Sequence, residues 1–319
     1  MAPQPSSLTG FAADVLAWGV PRLRDLPWRR TRDPWAVLVS EVMLQQTQVA
    51  RVVPRWERFL ERFPDADTCA DAALGDVLRE WQGLGYPRRA RNLHETACRV
   101  SEAGEFPRDL DGLLALPGVG PYTARAVMVF AFELDAAVAD TNIARVYARV
   151  MGERLTPKRL QAIADEHCPP GDAWRWNQCL MDLGAVLCRP VDPSCHECPV
   201  VASCAWSVSR QANCGQSIPE GDSDSEGAKL PIPLSPWHNS QLADPAVGSS
   251  GVSGKQARFE GSDRQARGRL MKALSQGPVR RADVAEVMRR DNTIAAALVD
   301  DLIGEGLCEP IADSLRLPG

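Results

Sequence analysis

Four cysteines stand close together near the middle of the chain, with the spacing C-x6-C-x2-C-x5-C: Cys188, Cys195, Cys198 and Cys204. Thiols grouped in this way are typical of a metal site, and four of them can hold an iron–sulfur cluster or a structural zinc ion. Zinc ribbons usually bring together two C-x2-C pairs, whereas this loop contains one such pair. The spacing therefore favours an iron–sulfur cluster, with zinc and a disulfide pair as the alternatives.

Charge and hydropathy narrow the class of protein. The net charge of −5 argues against broad affinity for nucleic acid, but 32 of the 36 basic residues are arginine, which binds phosphate in a bidentate manner. A GC-rich genome would produce the same arginine bias. No apolar run is long enough to predict a membrane span, and the N-terminus does not resemble a secretion signal. We therefore expect a cytoplasmic protein whose thiols stay reduced and available to metal.

Helical periodicity dominates the first two-thirds of the chain, and no segment shows sustained strand alternation. Apolar residues spaced three and four apart predict an amphipathic helix around residues 38–59, in which Pro54 predicts a new helix start. Further helices are predicted at 71–81, 88–103, 110–115, 122–133, 143–151, 158–167 and 173–187.

The composition changes after the cysteines. Residues 215–262 are rich in glycine, serine, proline and aspartate, which predicts a flexible linker. Residues 263–319 predict three short helices and a hairpin that turns at Ala312 and Asp313, the pattern of a winged helix. Such a module can bind DNA, bind protein or only pack against its neighbour, and the sequence leaves all three open.

A glycine-rich turn at residues 116–123 reads Leu-Pro-Gly-Val-Gly-Pro-Tyr-Thr. Gly118 and Gly120 permit turns with positive φ, and Pro121 suits the first position of a following helix. Free N–H groups at such a helix start attract anions, so the turn predicts phosphate binding without a charged side chain. The alternative is an ordinary corner between two helices.

Several motifs, taken in order, resemble the helix-hairpin-helix DNA glycosylase superfamily and specifically its MutY-type adenine glycosylases. The resemblance extends over roughly residues 8–210 and rests on independent motifs in one order, which makes chance similarity improbable. The motifs are LPWR at 26–29, SEVMLQQTQV at 40–49, GLGY at 83–86, RARNLH at 89–94, LPGVGPYT at 116–123, DTNIARV at 140–146 and the four-cysteine loop.

The resemblance implies an all-α, helix-hairpin-helix DNA glycosylase fold with a [4Fe-4S] cluster on the four cysteines. Residues 1–214 would form a bipartite domain, with a six-helix barrel at about 30–135 and an iron–sulfur lobe built from 1–29 and 136–214. Many members of this family continue into a Nudix-like domain that reads 8-oxoguanine. The tail at 263–319 is too short for that mixed α/β fold, so we expect a short form with a winged-helix-like module.

The resemblance also assigns two catalytic acids. Glu41 would protonate N7 of adenine and help to handle the attacking water, and Asp140 would stabilise the oxocarbenium-like sugar. An apolar setting favours the protonated form of Glu41, whereas a helix start favours the anionic form of Asp140. We therefore expect opposite protonation states at the two acids. A solvated glutamate and a purely structural helix cap are the alternatives.

Tyr122 is the third predicted catalytic residue and would hydrogen-bond to Glu41 or to the sugar, with a packed helix tyrosine as the alternative. It stands where bifunctional relatives carry the lysine that forms a Schiff base. Residues 1–228 contain a single lysine, Lys158, which lies away from the motifs. We therefore predict a monofunctional enzyme that hydrolyses the glycosidic bond without cutting the strand.

The resemblance further assigns the DNA contacts, because enzymes that flip a base insert planar side chains into the stack. The predicted DNA-binding residues are Gln45, Gln46, Tyr86, Gly118, Gly120 and Arg145. Core packing of Tyr86 and solvated surface glutamines are the alternatives. Arg189 and Arg210 are further candidates for phosphate contact from the cluster loop.

The function expected from these motifs is base excision repair by a monomeric adenine DNA glycosylase. Its partner would be double-stranded DNA with adenine opposite 8-oxoguanine or guanine. Two rival hypotheses are an endonuclease III-like glycosylase/lyase for oxidised pyrimidines and a non-catalytic iron–sulfur regulator that binds DNA. The missing lysine argues against the first, and the presence of both acids argues against the second.

Overall fold

The computed structural model describes residues 10–214, 243–249 and 258–319. Its helices are α1 (Phe11–Gly19), α2 (Pro34–Leu44), α3 (Val49–Arg62), α4 (Ala66–Ala70), α5 (Leu74–Glu80), α6 (Arg88–Ala103), α7 (Leu110–Leu114), α8 (Pro121–Phe130), α9 (Thr141–Met151), α10 (Pro157–His167), α11 (Ala173–Val186), α12 (Ala205–Cys214), α13 (Asp263–Gln276), α14 (Val284–Met288) and α15 (Asn292–Gly304). The strands are β1 (Val279–Arg280), β2 (Glu309–Ile311) and β3 (Ser314–Arg316). The predicted mostly helical architecture is confirmed. None of the helices in the described ranges has the length and apolar character needed to cross a membrane.

The helices predicted between residues 71 and 187 are all present, with ends that shift by at most three residues. The helix start predicted at Pro54 is wrong, because α3 begins at Val49 and continues through the proline. The chain forms two compact units, one made of Met1–Asp25 and Glu133–Gly254 and the other of Leu26–Phe132 and Lys255–Gly319.

The first unit is built around α9. This helix packs against α10, α11 and α12, so the residues from Ile143 to Val150 are buried on every face. An aromatic cluster fills the space beneath α1, where the ring of Phe11 lies 5.6 Å from that of Trp176 and 6.1 Å from that of Tyr147. Core packing consequently holds α9 on all sides from Ile143 to Val150.

A short turn at residues 243–249 also belongs to the first unit. Arg149 Nη2 contacts Asp244 Oδ2 at 2.6 Å, the Leu155 N–H donates to Ser249 Oγ at 3.0 Å, and Arg154 Nε donates to the Val247 carbonyl at 3.1 Å. The prediction of one flexible linker over 215–262 is therefore wrong for these seven residues. Composition indicated a linker, but an acidic side chain that neutralises a buried arginine fixes the turn in place.

The second unit is organised around α2. Asp33 caps this helix by accepting from the N–H groups of Trp35 and Ala36, and every residue from Trp35 to Met43 is buried. The indole N–H groups of Trp35 and Trp56 donate to the main-chain carbonyls of Phe63 and Ala36, both at 2.9 Å. Because α3, α6 and α8 surround α2, its side chains face protein rather than water.

Residues 263–319 form the predicted winged-helix-like module, with α13, β1, α14, α15, β2 and β3 in order. The strands make one antiparallel sheet in the order β1-β3-β2, and β2 and β3 are joined by the predicted turn at Ala312 and Asp313. Leu270, Met288 and Leu315 are fully buried and form its core.

The module packs on α5 and α6 of the same unit. The Gly75 N–H donates to the Pro318 carbonyl at 2.9 Å, Gln82 Nε2 to the Met271 carbonyl at 3.2 Å, and Arg91 Nη1 to the Glu305 carbonyl at 2.6 Å. A Cβ atom at position 75 would lie 2.5 Å from that Pro318 oxygen, so glycine is required there. Three polar contacts to separate parts of the module hold it in a defined place.

Candidate active site and thiol cavity

The four clustered cysteines all line one cavity between α9, α11 and the start of α12. The loop that carries them is shaped by tight turns, in which the Cys198 N–H donates to the Cys195 carbonyl and the Val201 N–H donates to the Cys198 carbonyl, both at 3.2 Å. The rest of the lining is largely apolar: Val146, Val150, Leu183, Leu187, Pro193, Val200, Val201 and Trp206. The sequence therefore brings four thiols to one shielded site.

The four cysteines are a donor set that fits a metal group. All four are free thiols, which removes the disulfide alternative. Thiols spaced around a cavity suit an iron–sulfur cluster, in which separate iron atoms bind separate cysteines.

Burial raises the pKa of the Cys198 thiol to about 11 and that of Cys204 to about 12. Thiols with such values are neutral at physiological pH, and they become thiolates when a bound cation stabilises the negative charge. The chemistry of the cavity is therefore that of a metal site rather than that of a reactive cysteine.

Arg149 supports the wall of this cavity. Its guanidinium donates to Cys188 Sγ at 3.3 Å and to the Arg189 carbonyl at 2.7 Å, and it lies 4.6 Å from the Trp206 ring. The buried charge is balanced by Asp244. Nothing in the sequence singled out Arg149 or Asp244, since they are 95 residues apart.

Glu41 lies in the last turn of α2. Its side chain is buried, with 5% of the residue exposed, so the alternative of a solvated surface glutamate is wrong. Tyr122 lies in the first turn of α8, which packs directly against α2. The second unit thus places a screened carboxyl and a phenol on two adjoining helices.

Asp140 caps α9, as the sequence predicted. Its Oδ1 accepts from the Ile143 N–H at 2.7 Å, and its Oδ2 accepts from Asn142 Nδ2 at 3.0 Å. Close packing steadies this helix start, because a Cβ atom at Gly184 of α11 would lie 2.6 Å from the Asn142 Cβ.

The expectation that this helix start favours the anion of Asp140 is wrong in its net effect. Burial raises the pKa of the carboxyl above its ordinary value of 3.8, and it outweighs Ile143, Asn142 and Arg145, which lower the pKa. The cap is present, but burial destabilises the carboxylate by more than its two hydrogen bonds and the nearby arginine stabilise it.

The glycine-rich turn joins α7 to α8. Gly118 has φ +74°, and a Cβ atom there would lie 2.8 Å from the Asn92 amide nitrogen. The expectation of positive φ at Gly120 is wrong, since its φ is −96°, and a Cβ atom there would meet nothing within 4 Å. No side chain caps α8, so the main chain at its start is available to an anion.

Tyr86 projects from the turn at residues 83–86, with 36% of the residue exposed. Gly83, Gly85 and Tyr86 all have positive φ, and +49° at a tyrosine is a strained conformation. The alternative of core packing for Tyr86 is therefore wrong. Gln46 is likewise exposed with φ +56°, while Gln45 is half-buried at the end of α2.

Arg89 joins this turn to the end of α2. Its guanidinium donates to the carbonyls of Val42 and Gln45 at 2.7 and 2.6 Å, and to those of Leu84 and Gly85 at 3.0 Å. Burial lowers its pKa to about 10, so it remains a cation at neutral pH. Arg89 is part of the RARNLH motif, which gave it no role. Its place three residues after a glycine-rich turn is the signal that indicates an anchor for that turn.

Two predicted DNA contacts are wrong. Arg145 is 2% exposed, and its guanidinium donates to the carbonyls of Cys188 and Gly184, both at 2.7 Å. Arg210 is also buried, with its guanidinium 4.6 Å from the Trp206 ring. Both arginines stabilise the interior of the first unit. Arg189 remains exposed on the cluster loop, with 45% of its side chain accessible.

Comparison with known proteins places these residues in a repair family. The profile of the HhH-GPD superfamily of base excision DNA repair proteins matches residues 39–170, a range that contains Glu41, Tyr122 and Asp140. An adenine DNA glycosylase from Mycolicibacterium smegmatis is 39% identical over 311 residues, which cover 94% of this chain and 93% of that protein. The human adenine DNA glycosylase is 39% identical over 216 residues, covering 62% of this chain and 40% of that protein.

A solved thermostable thymine-DNA glycosylase has a similar fold, with a TM-score of 0.61 and 31% identity over 64% of this chain and 98% of that one. The mycobacterial similarity reaches into the C-terminal module, because it covers nearly the whole chain. The module is therefore shared with at least one relative.

Proposed function

This chain belongs to the adenine DNA glycosylases of the helix-hairpin-helix superfamily, and from that premise we propose that it removes adenine paired with 8-oxoguanine or guanine. The observation that carries the assignment is 39% identity across 94% of the chain to a protein of that name. Glycosylase activity in base excision repair follows from the family. The choice of mispair is our proposal. The exposed, strained Tyr86 supports base eversion, because it is a side chain suited to enter a base stack.

Glu41 is proposed to protonate N7 of the everted adenine, which makes the base a better leaving group. Its carboxyl is screened from bulk water by the buried face of α2. A hydrogen bond to the base is then not in competition with solvent. The same group would orient the attacking water once the base has lost its bond to the sugar.

Asp140 is proposed to stabilise the positive charge that develops on the sugar. A carboxylate that burial has left poorly solvated gains more from a nearby cation than one in water does. The raised pKa of Asp140 supports this role, since it reports a high-energy anion in the resting enzyme. Its two hydrogen bonds fix the direction in which the charge points.

The raised pKa of Asp140 predicts a pH dependence. Lowering the pH protonates this carboxyl before an ordinary aspartate, so adenine release should decline at a pH above 3.8. Asp140→Asn should slow release about 10²-fold or more and remove this acid limb. Single-turnover rates between about pH 4 and pH 8 test both effects.

The same variant should be more stable at neutral pH. A carboxyl with a raised folded-state pKa contributes stability below its unfolded pKa, and that contribution is lost as the pH rises through the folded value. The neutral asparagine avoids this loss and can still accept from Ile143. A lower melting temperature than wild type at pH 7 would contradict the assignment.

Strand cleavage is not part of the proposed reaction. Tyr122 occupies the hairpin position that a lyase needs for an amine nucleophile, and the single lysine of residues 1–228, Lys158, lies in α10, outside the hairpin. Without an amine, water is the nucleophile that completes the reaction, and an abasic site is the product.

We propose that Cys188, Cys195, Cys198 and Cys204 hold a [4Fe-4S] cluster, whose iron–thiolate bonds would fix the fold of their loop. The N–H donation from Arg149 to Cys188 Sγ would stabilise the thiolate form. The loop carries the exposed Arg189, a candidate phosphate contact. The main chain around Gly120 is proposed as a second phosphate contact that uses no side-chain charge.

The enzyme is proposed to act as a monomer on duplex DNA in the cytoplasm, where thiols stay reduced. The test uses labelled duplexes that carry A:8-oxoG, A:G, A:C and thymine glycol, each incubated with the purified protein and then divided. One half is heated in alkali and the other is not. We expect scission of the adenine strand after alkali, on the A:8-oxoG and A:G duplexes.

Scission without alkali at thymine glycol would instead identify a lyase for oxidised pyrimidines. Tight duplex binding with no base release from any duplex would identify a non-catalytic DNA-binding protein. Equal release from A:8-oxoG and A:C would retain the glycosylase and overturn the proposed mispair.

A further inference from the structure

The C-terminal module brings Arg264 against the exposed Tyr86. Arg264 Nη1 donates to Tyr86 Oη at 2.9 Å, and its Cζ lies 5.8 Å from the centre of the tyrosine ring. The two residues are 178 positions apart in sequence. Arg89 of α6 approaches the same ring, with its Cζ at 5.5 Å. Two cations thus hold the one strained aromatic side chain that points outward from its turn.

An exposed aromatic ring adjoins this contact. Phe259, which precedes α13, is 53% exposed, and Arg264 Cζ lies 5.1 Å from its ring centre. Arg264 therefore contacts two solvent-facing rings, those of Tyr86 and Phe259. Exposed rings beside a guanidinium are the chemistry that accepts unstacked bases and their phosphates.

The module is attached firmly enough to act as a positioning element. Gly75 of α5, Gln82 just after α5 and Arg91 of α6 each donate a hydrogen bond to the module. The three accepting carbonyls lie in different parts of the module. Arg264 sits in the first turn of α13, whose cap is Ser262. Its position relative to Tyr86 is consequently set by packing.

In a DNA-binding winged helix, one helix usually enters the major groove, and here the corresponding helix is α15. Residues 292–304, which form α15, contain two aspartates and no lysine or arginine, so this helix is unsuited to a phosphate backbone. Glu305, directly after it, pairs with Arg267 and lies 3.9 Å from Arg88 of α6. The acidic end of α15 therefore faces basic groups of the module and of α6.

We propose that Arg264 is a positioning residue, through which the C-terminal module holds Tyr86 ready to enter the duplex beside the mispair. This inference rests on the proposed function. The hydrogen bond and the ring contact fix the tyrosine in one orientation, which lowers the entropy lost on insertion. The C-terminal module would in this way take part in lesion recognition.

The test is a double-mutant cycle on the full-length protein. Arg264→Met, Tyr86→Phe and the double variant are compared on an A:8-oxoG duplex by kcat/KM and by the fluorescence of 2-aminopurine next to the target adenine. Each single change should lower kcat/KM about tenfold, the effect of one hydrogen bond to a charged group. Because Arg264 acts through Tyr86, the double variant should be little worse than the poorer single one.

Arg280→Met is the matched control, since it removes the same charge from an exposed arginine of the module that pairs with Asp283. Arg264→Lys keeps a donor and a charge and should recover most of the lost activity and the fluorescence signal. Additive losses in the cycle, or an equal loss in Arg280→Met, would overturn the inference. If wild type releases no adenine from any duplex, the proposed function itself fails.

Discussion

Replacing Glu41 by glutamine is expected to slow adenine release by roughly 10²- to 10⁴-fold, the range for removal of a general acid, while duplex affinity stays within a few-fold. Glutamine has the size and hydrogen-bonding reach of the acid, so the buried site on α2 keeps its shape. The glutamine amide is too weak an acid to protonate N7. Single-turnover kinetics and fluorescence anisotropy on the same A:8-oxoG duplex separate chemistry from binding.

Glu57→Gln is the matched control, because Glu57 is an exposed glutamate on α3 of the same unit. It should leave both the rate and the affinity unchanged. Release at the wild-type rate by the Glu41 variant would remove this residue from the mechanism. A loss of duplex affinity as large as the loss of rate would make Glu41 a binding residue.

Replacing Cys198 by serine is expected to remove the visible absorbance and most of the iron and to destabilise the first unit. The free energy of metal binding contributes to the free energy of folding. Loss of one thiolate ligand should therefore lower the free energy of unfolding by several kcal/mol. Iron analysis, visible spectra and denaturant unfolding measure the three effects. Adenine release should fall because the fold around α9, which carries Asp140, is loosened.

Cys168→Ser provides the comparison for this variant. Cys168 is a half-buried thiol directly after α10, and it does not line the cavity. Its replacement should keep the iron content and the spectrum of wild type. Stoichiometric zinc in place of iron in the purified wild-type protein would contradict the cluster assignment and support a structural zinc site.

The helical fold was largely predictable, because helix positions follow from apolar spacing and from local signals such as Pro121 and Asp140 at helix starts. The errors arise where tertiary contacts override such signals. Pro54 lies inside α3, where burial of Val52, Trp56 and Phe59 on one face maintains a single helix. The turn at 243–249 reads as linker until the buried charge of Arg149 is known.

The candidate site was predictable in its residue types more than in their environments. Sequence placed Asp140 at a helix start, but the penalty for burying its charge depends on the groups around it. The resemblance assigned Arg145 to DNA contact, whereas packing around α9 buries this residue in the first unit. The contact between Arg264 and Tyr86 joins distant parts of the chain, and no local pattern indicates it.

Arg89 has a mechanical consequence. One guanidinium closes the open carbonyls at the end of the helix that bears Glu41, and it also grips the turn that bears Tyr86. A displacement of the Tyr86 turn would therefore be transmitted through Arg89 to the end of α2. Under the proposed function, this one side chain would couple the entry of Tyr86 into the duplex to the position of Glu41, and the point charge of a lysine could not span both sets of acceptors.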